Sequence, residues 1–157
     1  MKSLRIHPLA PAQVAQAYAL VRLVASGLSL ESWCDFASQR ITHTAARHGG
    51  IHTVQDRHGR ILGFASYTAD VSLDDGRCLT VDKLVVVGTI ERQREAVLFA
   101  LLRALEMVAA GHRCGTIHFR LDAACATFLD RHTRALLENA GHHERYVLLS
   151  KELGSTD

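Results

Sequence analysis

The apolar run LVVV at 84–87 is followed by GTI and then by ERQREAVLFALLRALE, which begins at residue 91. An apolar strand, a short turn and a long helical pattern make a junction where phosphates bind in many folds, because the first N–H groups of a helix have no partner inside it. Phosphate loops usually carry glycines that let the ligand approach the backbone. No glycine stands between Thr89 and Ala110. The residues alone leave two readings: an anion site at the helix end, or a packed helix whose arginines face water. Histidine and cysteine raise metal chemistry as well, with ten of the first and four of the second. Cys34, Cys78, Cys114 and Cys125 are widely spaced without a CxxC pair, which predicts reduced, mostly buried thiols rather than a disulfide framework or a zinc site. His142 and His143 would point to opposite faces of a strand, and His48 and His52 straddle Gly49–Gly50. Surface histidines and no metal are expected.

These residues must be positioned by regular elements, and the hydrophobic periodicity supplies them. SLRIHPL (3–9) alternates as a short strand, and Pro11 suits the first turn of a helix. Val14, Tyr18, Val21 and Val24 recur at helical spacing, predicting an amphipathic helix over 11–26 closed by Gly27. Ser29 is a candidate N-cap for a second helix with Trp33, Phe36, Ala37 and Ile41 on one face, ended by Gly49–Gly50. IHTVQD and ILGFASYTAD flank RHGR as a hairpin with Gly59 in the turn, and DDGR (74–77) turns into a third strand, CLTVDKLVVV. The helix from about 91 to 110 ends at Gly111, a candidate C′ residue. TIHFRL (116–121), a helix over roughly 125–140 closed by Gly141, and ERYVLLSKEL (144–153) complete the chain.

This order predicts an α/β (α+β mixed) domain. Strand–helix–strand crossovers require parallel neighbours, whereas the meander is antiparallel, so the sheet is mixed and carries helices on both faces. At 157 residues and 48% hydrophobic content the chain is long enough for one domain, 1–157, with a sizeable core. A net charge of +2 without basic runs speaks against nucleic acid as a partner. The N-terminus lacks the apolar segment of a secretory signal, and the most apolar window, 96–110, is short for a bilayer and contains Arg103 and Glu106. A cytoplasmic protein without a membrane partner is expected.

CLTVDKLVVVGTIERQREAVLFALLRALE and LLENAGHHERYVLLSKEL, in this order of elements, resemble the GNAT superfamily of acyl-CoA-dependent N-acetyltransferases over nearly the whole chain. The resemblance implies a central mixed sheet of six to seven strands. It also implies a loop of the form Q/R-x-x-G-x-G/A before the helix that carries FALLRAL (99–105). Aligned on that helix, the loop falls on Gln93, Arg94, Glu95, Ala96, Val97 and Leu98, with Ala96 and Leu98 where the family has small residues. His142 takes the place of the family's Gly-Phe phenylalanine.

The same resemblance implies a cosubstrate, acetyl-CoA, and no metal. Its pyrophosphate would lie on backbone N–H groups between Gln93 and Leu98, with Arg92 or Arg94 adding ionic contacts. The side chain of Leu98 would then turn into the helix–sheet interface. Val85 and Val87 would line a pantetheine slot opened where strands 80–87 and 115–121, parallel neighbours, splay apart. Counting eleven residues back from Gln93 reaches Asp82, in the family's position for the general base. The alternative for Asp82 is a solvated strand end or a pair with a neighbouring base such as Lys83. The family's acid, a tyrosine, aligns with Leu137, and Tyr146 and Tyr67 are the nearest tyrosines by sequence. The activity implied is that of an N-acetyltransferase acting on an amine of a small molecule or peptide. The second reading is a catalytically silent domain that binds acyl-CoA or a protein partner. A homodimer is left open.

Overall fold

A computed structural model describes residues 3–45, 48–120 and 131–143. Strand β1 (Arg5–Pro8) leads through a single 3-10 turn at Pro11–Gln13 into α1 (Val14–Val24) and α2 (Leu30–Ala45). The meander comes next as β2 (Gly49–Gln55), β3 (Ile61–Ser72) and β4 (Gly76–Val86). Then come α3 (Glu91–Gly111), β5 (Thr116–Phe119) and α4 (Arg131–Asn139). Among the described residues five strands lie in one sheet in the order β1-β2-β3-β4-β5, with the first three pairings antiparallel and β4–β5 parallel. Six to seven strands were expected. The expected last strand (144–153, with Tyr146), residues 125–130 of the last helix and Cys125 lie outside the described residues.

Local chemistry explains most boundaries. Pro11 opens the 3-10 turn, and the Ser29 hydroxyl accepts the Ser32 N–H at 3.1 Å, capping α2. Gly59 (φ 78°) and Gly76 (φ 67°) supply the left-handed turn positions of the two hairpins. Gly49–Gly50 corrects the reading: the pair opens β2 opposite Thr68 and Tyr67 rather than ending α2. A Cβ on Gly49 would lie 2.9 Å from the Tyr67 carbonyl oxygen, so the missing side chain serves strand packing. Gly111 is a second correction, because α3 runs through it. The left-handed residue is Arg113 (φ 57°), where the Cys114 N–H reaches the Ala109 carbonyl at 2.8 Å and the Arg113 N–H reaches Ala110 at 3.1 Å. Gly141 (φ 93°) closes α4 in the expected way, with the His142 N–H on the Leu137 carbonyl at 3.0 Å.

The sheet separates two apolar clusters. On one face Ala65, Tyr67, Leu79, Val81 and Leu84 pack against Val97, Leu98, Leu101 and Leu105 of α3 and Leu137 of α4. On the other, Ile51, Phe64 and Val85 meet Val14 and Val21 of α1 and Trp33 and Ala37 of α2. The Trp33 indole N–H donates to the Val14 carbonyl at 2.7 Å, which locks the two helices together. Burying each such Leu, Val or Phe contributes about 1.5–3 kcal/mol. Gly63, near the centre of the sheet, lets α3 lie close: a Cβ there would stand 2.7 Å from the Val85 carbonyl oxygen and 2.8 Å from Val97 Cγ1. Among the described residues, no helix is long and apolar enough to cross a membrane.

Candidate active site

Strand β4 carries one residue more than its neighbour at a single point. Tyr67 pairs with Val81 and Ser66 with Lys83, which leaves Asp82 as the extra residue of a β-bulge. Among the described residues the pairing of β4 with β5 runs to Val81↔Phe119, with a bond from the Arg120 N–H to the Val81 carbonyl at 2.8 Å. Asp82 therefore stands next to the last described position of the parallel pairing.

Its carboxylate is four-fifths buried and reaches α2, where Asp82 Oδ2 accepts a 2.8 Å charge-assisted bond from Arg40 Nη2. The Arg40 guanidinium lies 5.0 Å over the Phe36 ring. The partner of Asp82 is thus a base from a remote helix, not Lys83. Asp82 Oδ1 is buried and has no hydrogen-bond partner. A carboxylate oxygen in that state accepts a proton donor readily, because any incoming N–H removes an unpaired buried acceptor.

The helix end that was expected to hold an anion is built differently from the expected loop. Helix α3 begins at Glu91, so Gln93–Leu98 are helical residues rather than a loop. Ile90 is the N-cap in extended conformation, with no side-chain cap, and its carbonyl takes the Gln93 and Arg94 N–H groups at 3.1 and 3.2 Å. Val97 and Leu98 are fully buried in the α3 cluster, Leu98 in the expected helix–sheet interface, so neither side chain is open to a ligand. Arg92 and Ala96 are exposed, and Gln93, Arg94 and Glu95 are half-buried. The glycine of this junction is Gly88, ahead of the helix, where a Cβ would come 3.0 Å from Arg94 Cγ and 3.2 Å from Arg94 N.

Val85 packs against the α1–α2 face at 1% exposure. Val87 lines a cleft of about 600 Å³ together with Gly88, Thr89, Gln93, Arg60 and Gln16. Sequence reasoning missed Arg40, Arg60 and Gln16, which come from elements distant in the chain and carry no local motif.

Leu137 is 6% exposed inside the α3 cluster, the cluster that also holds Tyr67. The Tyr67 ring lies 5.5 Å from His52, and burial pushes its phenol above the ordinary range. His142 meets the Phe119 ring edge-on at 4.9 Å. Burial lowers the pKa of both His52 and His142, so these two are half-buried groups rather than the expected surface histidines. Among the described residues Cys78 is buried, Cys34 and Cys114 are half-buried, all three are free, and no three metal-ligating side chains converge.

Solved structures share this fold at low sequence identity. An aminoglycoside N-acetyltransferase, AAC(6')-Iy in complex with CoA, superposes with a TM-score of 0.78 at 11% identity, over 97% of this chain and 96% of that one. A ribosomal-protein-alanine N-acetyltransferase from Brucella melitensis biovar Abortus 2308 gives 0.72 at 14% identity, over 97% and 100%. The glucosamine-6-phosphate N-acetyltransferase of Arabidopsis thaliana gives 0.65 at 12%, over 98% and 100%. No protein-family model and no curated protein sequence matches the chain. The fold is the GNAT fold.

Proposed function

We propose that this chain is an acetyl-CoA-dependent N-acetyltransferase acting on an amine of a small molecule or peptide. The observation that carries this reading is the Asp82 carboxylate, at the β4 bulge next to the described β4–β5 pairing on the GNAT fold. The structural neighbours are N-acetyltransferases of aminoglycosides, a ribosomal protein and glucosamine-6-phosphate, which supports an amine acceptor without naming it.

Acetyl-CoA supplies the thioester. Asp82 would take the N–H proton from the acceptor, through Oδ1, as the nitrogen forms the new C–N bond and the C–S bond breaks. Arg40 orients the carboxylate from the other oxygen. Tyr67 packs with Leu137 in the α3 cluster, on the face of the sheet opposite Asp82, so the departing thiolate takes its proton from water. For the cosubstrate, Val87, Gly88, Thr89 and Gln93 border the cleft at the start of α3, and Arg92 and Arg94 lie on its first turn. Val97 and Leu98 would contribute backbone and packing rather than side-chain contacts.

Asp82→Asn keeps the size and removes the charge. It should lower kcat/KM for a confirmed amine by about 10²–10⁴-fold while calorimetric affinity for acetyl-CoA stays near wild type. Undiminished activity would remove Asp82 as the base. Arg92→Ala and Arg94→Ala should each weaken CoA about tenfold where the arginine touches phosphate. The second reading, a silent acyl-CoA-binding domain, is favoured by the Arg40–Asp82 pair, which engages the carboxylate at the bulge. Intact CoA affinity with no turnover on a broad amine panel would select it.

A further inference from the structure

Among the described residues, three buried side-chain atoms have no hydrogen-bond partner: His52 Nδ1, Ser66 Oγ and Asp82 Oδ1. Such atoms are expensive to leave unpaired and are rare in folded proteins, so each calls for a cause. His52 pairs with Ala65, of the α3 cluster, and its ring meets Tyr67 of that cluster, so it belongs to the α3 face. The other two share the opposite face. Ser66 lies two residues after Phe64 on β3 and so points to the α1–α2 side, and Asp82 reaches Arg40 of α2. They also face each other across the bulge, where Asp82–Lys83 stand opposite Ser66. Ser66 is fully buried, and its hydroxyl, although opposite a carboxylate, makes no bond to it.

We propose that Ser66 Oγ and Asp82 Oδ1 form the docking point for the acceptor amine, with Ser66 a positioning residue. This rests on the acetyltransfer reading. A carboxylate only accepts, and a serine oxygen has lone pairs to accept an N–H. Two unpaired acceptors on one face at the bulge suit a nitrogen that carries at least two hydrogens, and so a primary amine. Asp82 takes one N–H and in the reaction receives that proton. Ser66 holds the other, which fixes the direction of the nitrogen lone pair. A secondary amine satisfies only one of the two oxygens, and a tertiary amine neither. Arg40 holds the other carboxylate oxygen, Oδ2, which leaves Oδ1 for the acceptor.

The test uses propylamine and N-methylpropylamine as acceptors with Ser66→Ala and Ser66→Thr in the full chain. Ser66→Ala removes only an unpaired hydroxyl, so its Tm should equal or exceed that of wild type. Its KM for propylamine should rise about five- to tenfold while the KM for acetyl-CoA is unchanged. Ser66→Thr, which keeps the hydroxyl, should retain most of the propylamine affinity. The preference of wild type for propylamine over its N-methyl analogue should shrink in Ser66→Ala. An unchanged propylamine KM in Ser66→Ala overturns the assignment, as does a parallel loss for both substrates with a lowered Tm. NMR titration of the free protein with propylamine separates this inference from the activity. Shifts at β3 and β4 amides in wild type that vanish in Ser66→Ala support the subsite even if calorimetry finds no acetyl-CoA binding, which would defeat only the acetyltransfer reading. No shifts in either protein would overturn the subsite.

Discussion

Gly63→Ala probes how closely α3 is pressed to the sheet behind the site. The added methyl would meet the Val85 carbonyl oxygen at 2.7 Å, Val97 Cγ1 at 2.8 Å and Leu101 Cδ1 at 3.5 Å. The first contact is backbone of the neighbouring strand and cannot rotate away, and the second belongs to a fully buried side chain. Overpacking of this kind costs about 1–3 kcal/mol, and the backbone clash places it near 3. Alanine restricts the unfolded chain and returns about 0.4–1 kcal/mol. The net loss is about 2 kcal/mol, or roughly 4–8 °C in Tm for a chain of this size. Urea unfolding followed by circular dichroism should show the midpoint fall with an unchanged slope. Because Val97 lies in the second turn of α3, the shift should also displace the helix start beside Gly88 and weaken acetyl-CoA in calorimetry. A variant as stable as wild type would refute the close contact, and with it the reason for glycine at this position.

Leu137→Tyr should lower stability by about 1–3 kcal/mol without raising turnover, since the position is packed in the α3 cluster and the new hydroxyl would be buried there. Thermal unfolding and a single-turnover assay check both halves. Arg113→Gly should raise Tm by about 2–3 °C, because glycine avoids the left-handed cost of about 1–2 kcal/mol borne by arginine while its freer unfolded chain takes back about 0.4–1. Acidification should destabilise the fold. Burial holds His52 and His142 below their ordinary 6.5 in the folded state, and for His142 the neighbouring His143 lowers it further while Glu106 opposes. The unfolded chain then takes up protons first, so this loss is absent above about pH 6.5 and grows as pH falls below it. A Tm unchanged between about pH 7.5 and 5.5 would contradict the burial of these rings.

The strands and turns were legible because they depend on local chemistry. Alternation marked β2–β4, and Gly59 and Gly76 marked the hairpins. The parallel approach of β4 and β5 followed from the intervening helix. The glycines at 49–50 and 111 were misread because a Gly signals a need for space or for positive φ without saying which. At Gly49 the need was space beside the Tyr67 carbonyl. The alignment on FALLRAL required a loop over 93–98, whereas the extended Ile90 lets the helix begin at Glu91 and takes those residues into its first turns. Counting singled out Asp82 as the candidate base. Its partner was not found this way, since Arg40 is brought to it only by the packing of α2 on the sheet, forty-two residues earlier in the chain. Ser66 left no trace in sequence, because its interest lies in a bond it does not make.

Strand β3 has a consequence for backbone amide exchange. From Gly63 to Tyr67 it is paired with β2 on one side and β4 on the other, and each of these residues is buried. These amides have no local route to solvent and should exchange only when the whole chain opens, while β1, exposed along its length, exchanges by fraying. Ser66 and Tyr67, the two residues that oppose the bulge, are therefore carried by the segment that opens last. Ser66, the proposed positioning residue, thus sits on the stiffest part of the molecule.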